Sequence, residues 1–211
     1  MSNKKYEITD IAHEKYPFLH RIRALQDIGN DVKAGDLGGF VESESNLSFE
    51  EGDDAWIYDD AIACDRSHVN KQAQLRDNAM IRNTAYISEG ARMCGESRAE
   101  DDSYVRGASL TEQARICGNA MILVHQDTLC APVIRGNANV YGKIMGAIHI
   151  TGNALVFSSE ELRNDTKDLI IMDESSRTVQ RPPERDGLNR NRQASEEKKI
   201  NPKRRGGDAR E

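Results

Sequence analysis

Of the five histidines in this 211-residue chain, His68, His125 and His149 are the candidates for acid–base chemistry. An imidazole changes charge near neutral pH, so each could serve as a general base once a second group orients it. No acid–base motif accompanies any of them. A zinc site needs three or four converging ligands, and His125 and His149 stand 24 positions apart (149 − 125 = 24). The four cysteines, Cys64, Cys94, Cys117 and Cys130, form no C-x-x-C pair and read as free thiols. Neither G-x-x-x-x-G-K-S/T nor G-x-G-x-x-G occurs, and "DLGG" is a turn signal rather than a phosphate cradle. The sequence calls for no cofactor and no metal, and His125 is the runner-up catalytic residue in a chain read as non-enzymatic.

The elements that must position these residues follow a beat of six. Ile57, Ala63, Val69, Leu75, Ile81, Ile87, Met93, Ala99 and Val105 are spaced by six; one residue drops out, and Leu110, Ile116 and Ile122 continue. Thr128 is a weak beat before Ile134 and Val140, and a second slip leads to Ile144, Ile150 and Val156. Alanine or serine stands two places before most of them, as at Ala79, Ala85 and Ala91. Six suits neither a helix, with its 3.6-residue period, nor a strand alternating every second residue. It suits a triangular coil in which each hexad supplies one short strand and one bend. The aliphatic residue points inward, the small one fits the crowded bend, and successive coils pair about 4.8 Å apart.

The expectation is an all-β fold in three zones. Residues 1–50 form a small β-rich lead-in or cap, with strands at "KYEIT" and "LHRIRAL". Residues 51–157 form a parallel β-helix of about six triangular coils. Residues 158–211 form a C-terminal extension, with one last strand at "DLIIM" and then a largely flexible, basic tail.

The hexad pattern resembles the left-handed parallel β-helix of the hexapeptide-repeat proteins, and the handedness comes from that resemblance. A second resemblance is narrower. "RIRAL", "DLGGF", "ESESNLS" and "GDDAWI", between Leu19 and Ala61, look like the start of a mostly uncharacterised phage and prophage family of single-stranded left-handed β-helix proteins. That likeness implies phage origin and fold more than any activity. Hexapeptide-repeat acyltransferases use a histidine beside a loop extruded from a coil. Here "LVHQDTLCAPV", Leu123–Val133, is where the repeat falters, so His125 is the residue the acyltransferase alternative would use. The γ-class carbonic anhydrases of the same fold need a histidine spacing that this chain lacks.

Sorting the hexads in threes gives each face its outward residues. One face is expected to carry Tyr86, then Tyr104 and Arg106, then Met121 and Leu123, then Tyr141, then Leu155 and Phe157. Such an apolar stripe suggests an interface: with a host protein or protein complex, with a second or third copy of the chain as a dimer or trimer, or under a covering segment of the chain itself.

Charge divides along the chain. Residues 177–211 hold eleven Arg and Lys against six Asp and Glu, or +5, so a total of −6 leaves −11 on residues 1–176. That acidity argues against nucleic-acid binding except through the basic tail. Within Glu42–Asp60, the patch Glu50, Glu51, Asp53, Asp54, Asp59 and Asp60 reads as an edge-protecting cap, or as a mimic of nucleic-acid phosphate. No apolar run is long enough to span a membrane, and the start has no stretch of signal-peptide length, so a cytoplasmic place in a bacterial host is expected. What the resemblance to that phage family implies is a phage or prophage accessory protein that binds a host complex, in particular one of antiviral defence. An acyltransferase-like enzyme and a structural self-assembling protein are the alternatives.

Overall fold

Alanine or serine occupies the bends because the chain there turns inside a closed core. The computed structural model describes residues 2–181, and in it Ala55, Ala61, Ser67, Ala73, Ala79, Ala85, Ala91, Ser97 and Ser103 are all at most 1% exposed. Each strand that follows is two or three residues long and turns its aliphatic member inward. Val69, Leu75, Ile81, Ile87, Met93, Val105, Leu110, Ile116 and Ile122 are completely buried and belong to one continuous core. Burying one such side chain contributes about 1.5–3 kcal/mol.

Three sheets form the walls of an all-β solenoid, with nine, eight and six strands. Along the coils all pairing is parallel and falls one coil apart. On the nine-stranded face Ala63, Ile81, Ala99, Ile116, Val140 and Val156 stack in that order. The walls close into about seven stacked parallel coils, roughly 34 Å at 4.8 Å per coil, and the arrangement fits a left-handed parallel β-helix. No α-helix occurs among the described residues, and none of their elements is a helix long and apolar enough to cross a membrane.

The corners explain much of the acidity. The chain adopts left-handed backbone at Asp59, Asp65, Asp77, Asn83, Glu89, Asp101 and Glu112. Asp and Asn are, after Gly, the residues that tolerate that conformation best. Their side chains then bond to the backbone one coil on. Asp59 accepts from the Asp77 N–H at 3.0 Å, and Asp77 from Gly95 at 2.8 Å. A second corner runs Asp65, Asn83, Asp101 and Gly118, with donor–acceptor distances of 2.8, 3.2 and 2.9 Å. Such bonds net about 1 kcal/mol each.

The coil count is higher than the six expected, because the solenoid extends past residues 51–157 at both ends. The lead-in comprises β1 (Tyr6–Ala12), β2 (His20–Ala24) and β3 (Leu37–Val41), paired antiparallel. β3 then pairs parallel with Ile62–Ala63, and Leu47 bridges Val69, so the lead-in itself supplies part of the first coil. "DLGG" serves this contact. A Cβ on Gly39 would stand 2.4 Å from the Ala61 carbonyl oxygen, and one on Gly38 2.6 Å from that of Ile57. Asn46 of "ESESNLS" is fully buried and joins the two parts, accepting from the N–H groups of Glu42 and Ser43 and donating to the carbonyls of Asp65 and Ser67. At the other end Glu161–Arg163 and Leu169–Met172 continue the coils, and Arg177–Gln180 closes them as an antiparallel strand. The "DLIIM" strand is thus present. Backbone pairing to a finished coil carries these segments on although the beat of six has ended. The expectation of a flexible basic tail falls, beyond residue 181, outside the described residues.

Asp53 carries a pH signature. Burial pushes its carboxyl up, but the backbone N–H groups of Lys71, Ala55 and Gln72, with the Ser48 hydroxyl, outweigh burial and hold it below its ordinary value. A depressed carboxylate stabilises the fold above its unfolded pKa of about 3.9, and the benefit is lost as pH falls through the folded value. Asp53→Asn should therefore lower the urea midpoint at pH 7, with the gap from the parent closing below about pH 4. A gap that stays constant from pH 7 to pH 3 would refute the assignment.

Candidate functional site

The six-stranded wall gathers the most distinctive outward column. His68, Tyr86, Tyr104 and Met121 stand in register on successive coils, followed by Lys143 and Glu161. Parallel in-register pairing forces equivalent side chains to stack. The His68 and Tyr86 ring centroids lie 5.4 Å apart, and those of Tyr86 and Tyr104 5.6 Å apart. The Ser45 carbonyl accepts a hydrogen bond from His68 Nδ1 at 2.6 Å, which fixes the ring and leaves Nε2 outside that bond. Asn70 donates to the Tyr86 hydroxyl.

Beside this column run Ser88, Arg106, Leu123 and Met145. Arg106 Nε lies 3.5 Å from Glu89 Oε2, and Lys71 Nζ lies 3.6 Å from Oε1 of the same carboxylate. The Asn70 Oδ1 and Ser88 Oγ atoms are buried without a hydrogen-bond partner. Lower on the wall a pocket of about 180 Å³ opens among Met121, Leu123, Lys143, Met145, Glu161 and Leu162.

Only part of the expected stripe is on this wall. Tyr86, Tyr104, Arg106, Met121 and Leu123 come together as the hexad count requires. Tyr141, Leu155 and Phe157 do not join them, because Asn139–Val140 and Leu155–Val156 belong to the nine-stranded wall. The cause is residues 124–132. Ile122 lies on the six-stranded wall and Ile134 on the next wall round, the eight-stranded one, so the twelve-residue interval covers one side of the triangle. Thr128 is therefore no inward beat, and every later residue moves by one face. The displaced trio forms its own patch, exposed by 38% at Tyr141, 49% at Leu155 and 58% at Phe157.

The extra residues form the loop that the faltering repeat suggested, and His125 is its anchor. It is only 4% exposed. Its Nδ1 accepts from the N–H groups of Asp127 and Thr128, both at 3.3 Å, so in the neutral ring Nε2 carries the proton and donates to Asp165 at 2.8 Å. Its backbone N–H donates to the Cys130 carbonyl, and its carbonyl accepts from Leu129. Hydrogen bonding from Arg163, then from His125, holds the Asp165 carboxyl below its usual range. With both nitrogens committed, this imidazole has no lone pair facing a substrate. His149 stands outward between Val133 and Ile171 on the eight-stranded wall, its pKa lowered by burial and then by Arg135.

Cys64 and Cys117 lie on one wall three coils apart, and all four cysteines are free thiols. Burial pushes the Cys64 thiol up to about 11 and raises Cys94 and Cys117 as well, so these sulfurs stay protonated at neutral pH. Among the described residues no group of three or more His, Cys, Asp or Glu side chains could hold a metal.

Within the acidic patch, Asp53 and Asp59 are corner acceptors, and Asp60 pairs with Arg21 at 2.6 Å. Glu50, Glu51 and Asp54 remain exposed. A buried carboxylate went unnoticed in the sequence: Glu100, 2% exposed, bridges Arg82 at 3.0 Å and Arg115 at 2.5 Å. Burial raises its pKa, but hydrogen bonds from Arg115 and Arg82 carry it below the ordinary value. The available signal was Arg82 and Glu100 at equivalent hexad positions of neighbouring coils, with Arg115 just before the inward residue of the next.

No model of a known protein family matches the chain, and no curated protein matches it.

If His125 anchors the loop, His125→Ala should leave global unfolding nearly unchanged but speed proteolytic cleavage within residues 126–131 at least tenfold. Unchanged cleavage there, measured by mass spectrometry of limited digests, would remove the anchoring role.

Proposed function

We propose that the protein is a non-enzymatic binding module that grips another protein through its six-stranded wall. The observation that carries this reading is the in-register column His68–Tyr86–Tyr104–Met121. It offers half-buried aromatic and sulfur-bearing side chains held rigid by the coils beneath them. Tyr, Met and Arg are enriched at the centres of protein interfaces, and side chains already fixed by packing lose little entropy on binding. Arg106 beside the column and the apolar pocket below it extend the same surface.

The phage-type lead-in supports the finer form of the proposal. The partner is then a bacterial host protein complex of antiviral defence, met in the host cytoplasm. The acyltransferase alternative is weakened by the commitment of both His125 nitrogens. The test is affinity capture from host cells with the parent chain and with Tyr86→Ala plus Tyr104→Ala. The double variant should lose its bound protein by tenfold or more while keeping its β-sheet spectrum and thermal midpoint. Capture of the same proteins by both chains would sink the reading.

Self-association is a second reading, favoured by the exposed Tyr141, Leu155 and Phe157 patch on another wall. Sedimentation should then give a dimer or trimer that Leu155→Gln plus Phe157→Gln converts to a monomer. A monomeric parent at tens of micromolar would dismiss it.

A further inference from the structure

A broad cleft lies on a different wall from the tyrosine column. It measures about 710 Å³ and forms where the loop after β1 faces the outer surface of the nine-stranded sheet. Its floor is apolar. Phe40 and Ile62 are 5% and 6% exposed, and the partly buried Met80 packs with them. The ladder places Phe40, Ile62, Met80 and Arg98 on successive strands, so the floor ends at a guanidinium. The loop supplies the opposite wall with His13, Lys15 and Tyr16.

The wall is pre-organised. The His13 and Tyr16 rings stack with centroids 5.2 Å apart, and His13 meets the edge of Phe40 at 4.7 Å. His13 Nδ1 accepts from the N–H groups of Lys15 and Tyr16, so in the neutral ring its Nε2–H is a spare donor. Arg21 belongs to the frame. It lies 4.3 Å over the Phe40 ring and is held by Asp60 and by the carbonyls of Gly38 and Asp59.

Arg98 is the group left over. It stands directly opposite Arg115 in the ladder, and like charges so placed repel. The one buried carboxylate nearby, Glu100, pairs with Arg82 and Arg115. The Arg98 backbone N–H bonds to the Ala114 carbonyl, but its guanidinium makes no hydrogen bond or ion pair among the described residues, and neither does the ammonium of Lys15. Both belong to a body of charge −11 and face a cleft whose floor is apolar and whose rim is polar. Glu14 and Glu96 also line the cleft, both exposed. They would repel a bare polyanion and leave a single negative group beside Arg98 as the better match.

We propose that this cleft binds a small organic anion: a planar or apolar body over Phe40, Ile62 and Met80, with one carboxylate or phosphate-ester group at Arg98. Its volume falls within the range of about 300–1,000 Å³ usual for small-molecule sites. The site lies on the nine-stranded sheet, so it stands or falls independently of the tyrosine column.

The test uses the full chain and the fluorescent aromatic sulfonate 8-anilinonaphthalene-1-sulfonate. Titration should give one saturable site. Arg98→Glu should weaken it at least tenfold while leaving the neutral probe N-phenyl-1-naphthylamine unchanged, and Lys15→Glu should weaken the sulfonate severalfold. Arg98 is exposed, so both variants should keep the parent thermal midpoint; Arg98→Gln, with a smaller loss, serves if the reversed charge perturbs the fold. Displacement by phenyl phosphate or by benzoate then distinguishes the two kinds of anion, and inorganic phosphate alone should not displace. Sulfonate binding that survives Arg98→Glu would overturn the proposal. So would binding abolished by Leu155→Gln, which would place the probe on the other apolar patch, or an inability of both aromatic anions to compete.

Discussion

The structure depends on the corner. Every sixth residue or so the chain must turn through a bend tight enough to close a triangle, and each bend needs a left-handed residue outside and a methyl-sized side chain inside. Asp59, Asp77, Asp65 and Asp101 meet the first requirement, and Ala61, Ala79, Ser67 and Ser103 the second. The same corner residues then accept from the backbone of the next coil. Turning and stacking are thus one interaction, repeated. Each bond contributes on the order of 1 kcal/mol net, but along two of the corner columns it holds the register together with the strands. Acidity that looks like a ligand for cations is in large part this scaffold.

A solenoid built this way converts sequence spacing into columns. Side chains one coil apart sit face to face, so the outer surface is a set of vertical stripes whose chemistry is set by a few recurrent positions. The stripe His68, Tyr86, Tyr104 and Met121 and the stripe Phe40, Ile62, Met80 and Arg98 arise by the same rule on different walls. The first is a packed column of rings with little concavity. The second becomes a cleft only because the lead-in, which also caps the first coil, extends a loop beside it. Cap and cleft therefore share one origin. Gly38 and Gly39 let β3 approach the coil, and that approach brings the β1–β2 loop within reach of the outer wall.

The sequence made the coil interior legible and the exterior only partly so. The inward set from Ile57 to Ile122 is placed as the hexad count requires, because an aliphatic side chain and its bend alanine have one workable position each. The stripe held up to Leu123 and then broke. The twelve positions from Ile122 to Ile134 are two hexads by arithmetic, but one wall plus a loop in space. Thr128 was the warning, since a threonine is a poor inward residue, and treating it as a beat moved Tyr141, Leu155 and Phe157 to the wrong wall. His125, read as the chemistry of that loop, is its internal tie. Glu100 escaped notice because a lone glutamate among arginines looks like a solvated face until coil stacking brings the Arg82 and Arg115 side chains onto it.

The sequence by itself determined the repeat, and with it the parallel all-β coil, the buried columns and the residues sharing each wall within an unbroken run. The physical reason is steric: bends that admit only small residues and a core that admits only aliphatic ones leave the period of six no other home. Tertiary structure alone decided what interrupts that period. It set how far the coils extend through β3 and Leu169–Met172, which wall follows the loop at 124–132, and where a cleft opens. These depend on backbone pairing with distant segments and on where a loop comes to rest. Backbone hydrogen bonds are available to every residue type, and so they leave little trace in side-chain spacing.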